Sequence, residues 1–305
     1  MTNSTVSLDD KYSIESGRIF VTGVQALARI PMVQRQRDVL EGLNTAGFIS
    51  GYRGSPVGGF DQQLWRAKKF LEQNHIRFQP GLNEDLAASA IWGSQQTNLH
   101  EGGKYDGVFA IWYGKGPGVD RCGDVFKHGN MSGPAKHGGV LLIAGDDHAA
   151  KSSTVPHQSE YAFMDASIPV LNPAGVQDIV DYGILGFAMS RFSGCWVAFK
   201  TTAENMDSSA SIDVSPDRVK ISLPKFDMPE DGLSIRWPDD WIEQEHRLHQ
   251  YKLNAVRAFA RQNKIDKTIL DSQNPKLGVI TTGKSYLDVR QALEDLGINE
   301  AKADK

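Results

Sequence analysis

The chain has 305 residues, 40% of them hydrophobic and 23% charged, with a formal net charge of −4. At about 150 residues per domain, that length suggests two domains, or one large domain and a smaller piece. The mild acidity excludes a broad nucleic-acid coat and gives no pull toward anionic membranes. No run approaches the roughly 18 uninterrupted apolar residues of a membrane span, and the polar, acidic opening MTNSTVSLDDKYSIESG is not a signal peptide.

In chain order, residues 1–14 read as a disordered N-terminus. Short apolar runs ending in Gly or Pro then predict strands at Phe48–Ser50, Val108–Trp112, Val140–Ala144, Ile168–Leu171 and Trp196–Phe199. Helical spacing falls between them, over 24–45 (closed by Gly47), Gly59–Leu71, 84–99 and 175–191. This alternation predicts an α/β, doubly wound, mostly parallel sheet with helices on both faces, and places chemistry in the loops after the strands' carboxyl ends. After Thr202 the composition changes. Residues 203–235 read as a linker or arm, followed by a long amphipathic helix over 241–262 with Trp241, Leu248, Tyr251, Leu253, Val256 and Phe259. A polar break at Asp271–Pro275 leads to a strand at Leu277–Ile280, a helix near 285–296 and a charged tail, Asn299–Lys305. One strand and one helix do not cover each other's apolar faces, so this last unit either borrows a partner or opens something longer.

The two cysteines, Cys122 and Cys195, are too few for an iron–sulfur cluster or a structural zinc site, which need about four ligands, and two isolated thiols fit a reducing cytosol. Cys195 lies in the apolar run CWVAF and reads as core. Cys122 lies in a Gly-rich loop with no adjacent pattern to support a thiolate role.

Three stretches imitate phosphate or metal loops. Gly278–Ser285 matches the G-x-x-x-x-G-K-[ST] pattern letter for letter, but its first Gly falls inside the only plausible strand, whereas a phosphate loop begins where a strand ends. Gly145–Ser152 follows a good strand but has Ala150 for the second Gly and points Asp146 and Asp147 where phosphates would sit. Gly145-Asp146-Asp147 with Asn172 resembles the thiamine diphosphate metal motif, Gly-Asp-Gly and a later Asn, with Asp in place of the second Gly. No metal ligands are assigned.

Taken together, the runs Gly51–Asp61, Leu82–Ala88, Trp112–Arg121, Phe126–Asn130, Gly145–Ser153 and Pro156–Glu160 resemble, in this order, the N-terminal part of the bacterial fused indolepyruvate ferredoxin oxidoreductases, of the 2-oxoacid:ferredoxin oxidoreductase family. The resemblance extends over roughly residues 15–300. It implies a pyrimidine-type thiamine diphosphate domain at 15–203, a linker or arm at 204–275, and from 276 to 305 the start of an incomplete transketolase C-terminal-like domain. The implied reaction is oxidative decarboxylation of a 2-oxoacid, with indolepyruvate or another aryl pyruvate as substrate and an acyl-CoA as product. The cofactor carries the hard chemistry, and the protein supplies orientation and electrostatics. Only the pyrimidine end of thiamine diphosphate would be held here. Mg²⁺ and the 4Fe–4S clusters are expected in domains outside this chain. The implied partners are those remaining domains or subunits, ferredoxin, coenzyme A and the 2-oxoacid, in a cytoplasmic homo-oligomer without nucleic acid or membrane. The chain by itself is expected to be inactive.

The resemblance also assigns residues. Glu84 would be the catalytic acid that hydrogen-bonds the aminopyrimidine ring, in a dry site that strengthens the bond. Asn83-Glu84-Asp85 reads equally as a helix N-cap with acids in the first turn, and both readings hold at once. Gly54, Ser55 and Pro56 would lie against cofactor, or form a simple turn. Arg53, Lys115, Arg121 and His128, with Lys127 nearby, would offer cations to a 2-oxoacid carboxylate, or form a solvated basic loop. His148 and His157 stay undecided, and Trp112 and Tyr113 read as packing residues. The alternative is a stand-alone α/β protein that binds a small anion through the same cationic loops.

Overall fold

A computed structural model describes residues 6–152, 155–299 and 302–303. Six strands form one parallel sheet in the order β3-β2-β4-β5-β7-β6: β2 (Ala46–Gly51), β3 (Ile76–Phe78), β4 (Val108–Lys115), β5 (Val140–Asp146), β6 (Val170–Leu171) and β7 (Val197–Thr202). Of the six strands read from the sequence, the five before Thr202 are present, with Ile168–Leu171 reduced to two residues. The short β3 at the sheet edge had no signal. Alternate residues of β4 and β5 serve different layers. Ile111, Tyr113, Leu141 and Ile143 pack under helices Gly23–Leu40 and Val176–Ser193, whereas Ala110, Trp112, Val140 and Leu142 pack under Glu84–Gln95, Gly123–Ser132 and Glu160–Asp165. A sheet covered on both faces needs apolar residues at every position, which is why these strands read as continuous runs.

The predicted helices are present with revised ends. The first begins at Gly23 behind a Thr22–Gln25 capping box and stops at Leu40, before the turn through Gly42 (φ +79°), rather than at Gly47. Gly59–Leu71 becomes two helices, Phe60–Arg66 and Lys68–Gln73, and 84–99 becomes Glu84–Gln95. The last closes on Gly194, whose φ of +73° is the left-handed conformation that ends helices.

The structure corrects both ends of the expected domain plan. The N-terminus was expected to be disordered over 1–14, but within its described part Asp10–Ser13 forms a helical turn that buries Tyr12. Residues 1–5 lie outside the described residues. The linker expected from residue 204 is tied back at once. β8 (Ser209–Asp213) pairs antiparallel with β1 (Arg18–Thr22), from Arg18 opposite Asp213 to Thr22 opposite Ser209.

The amphipathic helix is present as Trp241–Arg247, a wide turn Leu248–Lys252, and Leu253–Gln262, with Phe259 fully buried against Phe192. The Lys252 Nζ is buried too and donates to the Met131 carbonyl at 2.7 Å, at the carboxyl end of Gly123–Ser132. The strand expected at Leu277–Ile280 does not form. That segment is extended and unpaired, with Leu277 82% and Ile280 101% exposed, and the following helix Lys284–Asp295 buries no residue. Among the described residues, no helix is long and apolar enough to cross a membrane.

Candidate functional site

The chain runs from β2 to one side of the sheet (β3) and then returns to the other side (β4), so the order reverses between β2 and β4. In doubly wound sheets, ligands bind beyond the carboxyl ends of the strands at such a reversal. Here the two strands approach closely. A Cβ at Gly51 would lie 2.2 Å from the Tyr113 carbonyl oxygen. The loops that leave this point carry most of the residues singled out in the sequence.

Glu84 opens the helix after β3. Asn83 caps that helix by accepting from the Leu86 N–H at 2.9 Å, so the N-cap reading is correct. The Trp112 indole N–H donates to the Glu84 carbonyl at 2.9 Å and fixes the residue from below. The half-buried Glu84 side chain lies across a glycine turn at the end of β4. A Cβ at Gly118 would sit 2.5 Å from Glu84 Cγ and 2.9 Å from its Oε1, and one at Gly114 would sit 3.4 Å from Cγ. Glycine at these positions lets a carboxylate rest directly on backbone.

The Arg53–Pro56 turn folds over the same strand ends. Gly54 packs on Lys115, where a Cβ would meet the lysine Cβ at 2.9 Å, and Pro56 and Val57 cover Gly145. Arg53 is exposed, while Gly54, Ser55 and Pro56 are half-buried. Glu84, on Gly114 and Gly118, and the Arg53–Pro56 turn, on Lys115 and Gly145, thus both lie over the carboxyl ends of the central strands.

The other cations go elsewhere. Lys115 is buried and donates to Asp147 Oδ2 at 3.0 Å and Ser152 Oγ at 2.7 Å, which turns its ammonium toward the 147–152 loop. The Ser152 N–H, and after it Lys115, hold the Asp147 carboxyl down at about 2. Arg121 is exposed in the last turn of helix Gly116–Arg121. Lys127 pairs with Asp165 at 2.6 Å. His128 is exposed, 3.6 Å from Asp124 and stacked on Trp92, so it is not a core histidine. Trp112 and Tyr113 are fully buried, as packing residues. Cys195 is core. Burial raises the Cys122 thiol, the opposite of what a reactive thiolate needs.

The metal-like motif is already occupied by protein groups. Asp146 accepts the Ser159 N–H at 3.0 Å and its hydroxyl and faces Lys200 Nζ at 3.5 Å, while Asp147 holds Lys115. Asn172 packs on Gly283 instead of turning toward these aspartates. Among the described residues, no group of three or more His, Cys, Asp or Glu is placed to hold a metal ion. In the phosphate-loop look-alike, Lys284 pairs with Asp288 of its own helix, and no strand leads into the loop.

The sequence reading missed the role of Gly114, Gly116 and Gly118 as a floor. Their alternation in GKGPG was the available signal. It also left His157 undecided. The structure sets the His157 ring on Gly116, with Nε2 2.8 Å from Asp120 Oδ2, whereas His148 is exposed.

The indolepyruvate oxidoreductase subunit IorA of Pyrococcus horikoshii is 26% identical over 293 residues, across 93% of this chain and 41% of its own length. The corresponding subunit of Methanothermobacter thermautotrophicus is 23% identical over 290 residues, across 93% and 42%. The chain is homologous to the indolepyruvate oxidoreductase subunits. The family model described as the indolepyruvate oxidoreductase domain matches residues 267–305. A 2-oxoglutarate:ferredoxin oxidoreductase from Magnetococcus marinus, solved with 2-oxoglutarate, coenzyme A and succinyl-CoA, shares the fold. Its TM-score is 0.63 and its identity 16%, over 92% of this chain and 52% of that one. The chain spans about two fifths of the length of the curated relatives it matches.

Proposed function

We propose that this chain supplies the pyrimidine side of a thiamine diphosphate site in an indolepyruvate-type 2-oxoacid:ferredoxin oxidoreductase. The observation that carries the reading is the Glu84 carboxylate, laid on Gly114 and Gly118 at the reversal of a parallel sheet. The residues fit the cofactor's aminopyrimidine. A half-buried acid rests on bare backbone at the end of β4, and the Arg53–Pro56 turn packs over the ends of β4 and β5. Bound thiamine diphosphate would supply the nucleophilic carbon that attacks the 2-oxoacid.

The chain's own residues do the rest. The Glu84 carboxylate would share a proton with a nitrogen of the bound aminopyrimidine, and partial exclusion of water would strengthen that bond. Gly54, Ser55 and Pro56 wall the cofactor. Arg53, exposed on that turn, would orient the substrate carboxylate, with Arg121 as a secondary group. Lys115 and His128 are assigned no substrate contact, because Asp147 and Ser152 hold the one and Trp92 and Asp124 engage the other.

In this reading residues 276–305 belong to a transketolase C-terminal-like domain, consistent with a helix Lys284–Asp295 that buries none of its own residues. Mg²⁺ and the iron–sulfur clusters are held by other parts of the assembly, in the cytoplasm. Those parts, ferredoxin and coenzyme A complete the reaction in a homo-oligomer, and the isolated chain does not turn over. Calorimetric titration of the chain with thiamine diphosphate and Mg²⁺, with and without its partner subunits, tests the proposal. Weak binding alone that tightens with partners is the expected result. Ferredoxin reduction by the chain alone would overturn the division of labour. Binding of small carboxylates with no thiamine affinity would favour the anion-binding alternative.

A further inference from the structure

The strongest feature not used above lies on the far side of the glycine turn. The His157 ring packs against Gly116, where a Cβ would come within 2.2 Å of both Cγ and Nδ1. Nε2 reaches Asp120, one helical turn beyond Gly116, so a single ring spans the whole turn. Nδ1 faces Asp146 Oδ1 at 3.7 Å, is shut off from solvent and makes no hydrogen bond. A buried nitrogen without a partner is unfavourable, so hydrogen bonding alone does not choose this position. The shape of Gly116 does. Asp146 in turn holds Ser159 through its N–H and hydroxyl. The end of β5, the 155–159 segment, the Gly116–Arg121 helix and Glu84 therefore form one continuous set of contacts.

We propose that His157 is a positioning residue, which clamps the glycine turn from one side so that Gly118 presents a fixed floor to Glu84 on the other. Gly116 and Gly118 are two residues apart in the same turn and are both buried. A shift of the turn at Gly116 is passed to Gly118 and from there to the Glu84 carboxylate. The consequence for cofactor binding rests on the assignment of Glu84 above, but the clamp itself does not.

The test is a double-mutant cycle in the 305-residue chain: Gly116→Ala, His157→Ala and the double variant. It is read by amide hydrogen exchange over 114–121 without ligand and by thiamine diphosphate affinity. In the wild-type background, Gly116→Ala drives the ring off the turn. Exchange over 114–121 is expected to rise and affinity to fall about tenfold, within the coupling seen between residues in contact. In the His157→Ala background, the new methyl group fills vacated space and should change either readout less than about twofold. His157→Gln, which keeps a donor for Asp120, should recover part of the loss and guards against a misfolded alanine variant. Additive effects of the two substitutions, or unchanged exchange in both single variants, would overturn the clamp. If the chain binds no thiamine diphosphate even with its partner subunits, the Glu84 assignment fails while the exchange measurement still decides the clamp.

Discussion

Two glycine-rich loops in this chain can be compared directly. GKGPG at 114–118 matches no general phosphate pattern, whereas Gly278–Ser285 matches one to the letter. The first leaves the central strand β4, its three glycines are buried, and a Cβ at each would strike Trp112, His157 or Glu84. The second follows no strand. Gly278 has no atom within 4 Å of a built Cβ and Ile280 is fully exposed, while Gly283 is buried against Asn172 at the start of its helix. Occupied glycine space by itself marks packing; what separates the first loop is that its three occupied glycines lie together at a strand end. Letters without that placement carry little.

Substitutions sharpen the contrast, beginning with the largest effect. Glu84→Ala in the assembled enzyme should lower turnover by about 10²–10⁴, the usual range for a positioned acid or base, while the unfolding midpoint barely moves. Retention of normal decarboxylation would remove Glu84 from the chemistry. Gly118→Ala comes next. The flexible Glu84 side chain swings aside, so stability changes by less than about 1 kcal/mol while thiamine diphosphate affinity falls roughly tenfold. A large loss of stability with unchanged affinity would show the floor to be merely structural.

Lys252 probes the packed side of the contrast through pH. Burial pulls its ammonium down to about 8, from 10.5 in the unfolded chain. Between those values the unfolded chain binds more protons, so stability should rise with pH across that window, by on the order of 1 kcal/mol. The slope should flatten in Lys252→Met, as followed by urea unfolding at pH 7.5, 8.5 and 9.5. A slope that Lys252→Met leaves intact would assign it to another group. The smallest effect belongs to the exposed loop. Lys284→Ala breaks only a surface pair with Asp288, and should change stability by about 0.5 kcal/mol or less. ATP affinity lost with that substitution would reverse the comparison.

How much was legible follows from which interactions are local. Fully buried strands such as Val140–Asp146 declare themselves by composition, and Asn83 and Thr22 announce helix starts by capping chemistry. The helix start at Glu84 was legible through its Asn83 cap, while the role proposed for its carboxylate comes from the resemblance and not from any unusual spacing. β3, with three residues, is held by its neighbour Ala46–Gly51 rather than by its own sequence, and so left no signal. The partners of Lys115 and His157 lie 32 and 37 residues away, so Lys115 looked like a free cation and His157 like an unplaced one. The unformed strand at Leu277–Ile280 errs the other way. Its composition favours a strand, but without a neighbouring edge there is no ladder to join.

The β1–β8 ribbon has a practical consequence for the architecture. Arg18 and Asp213 stand opposite each other, the Gly23 N–H donates to the Ser208 carbonyl, and a Cβ at Gly23 would overlap the Asn205 carbonyl oxygen. The entrance and exit of the sheet domain are therefore sewn side by side. A domain with adjacent ends is suited to circular permutation, and the surface turn at Gly102–Gly103 offers a place to open new termini. Any excised version must run at least to Val214, because a cut at 203 would remove the strand that fastens the beginning of the fold.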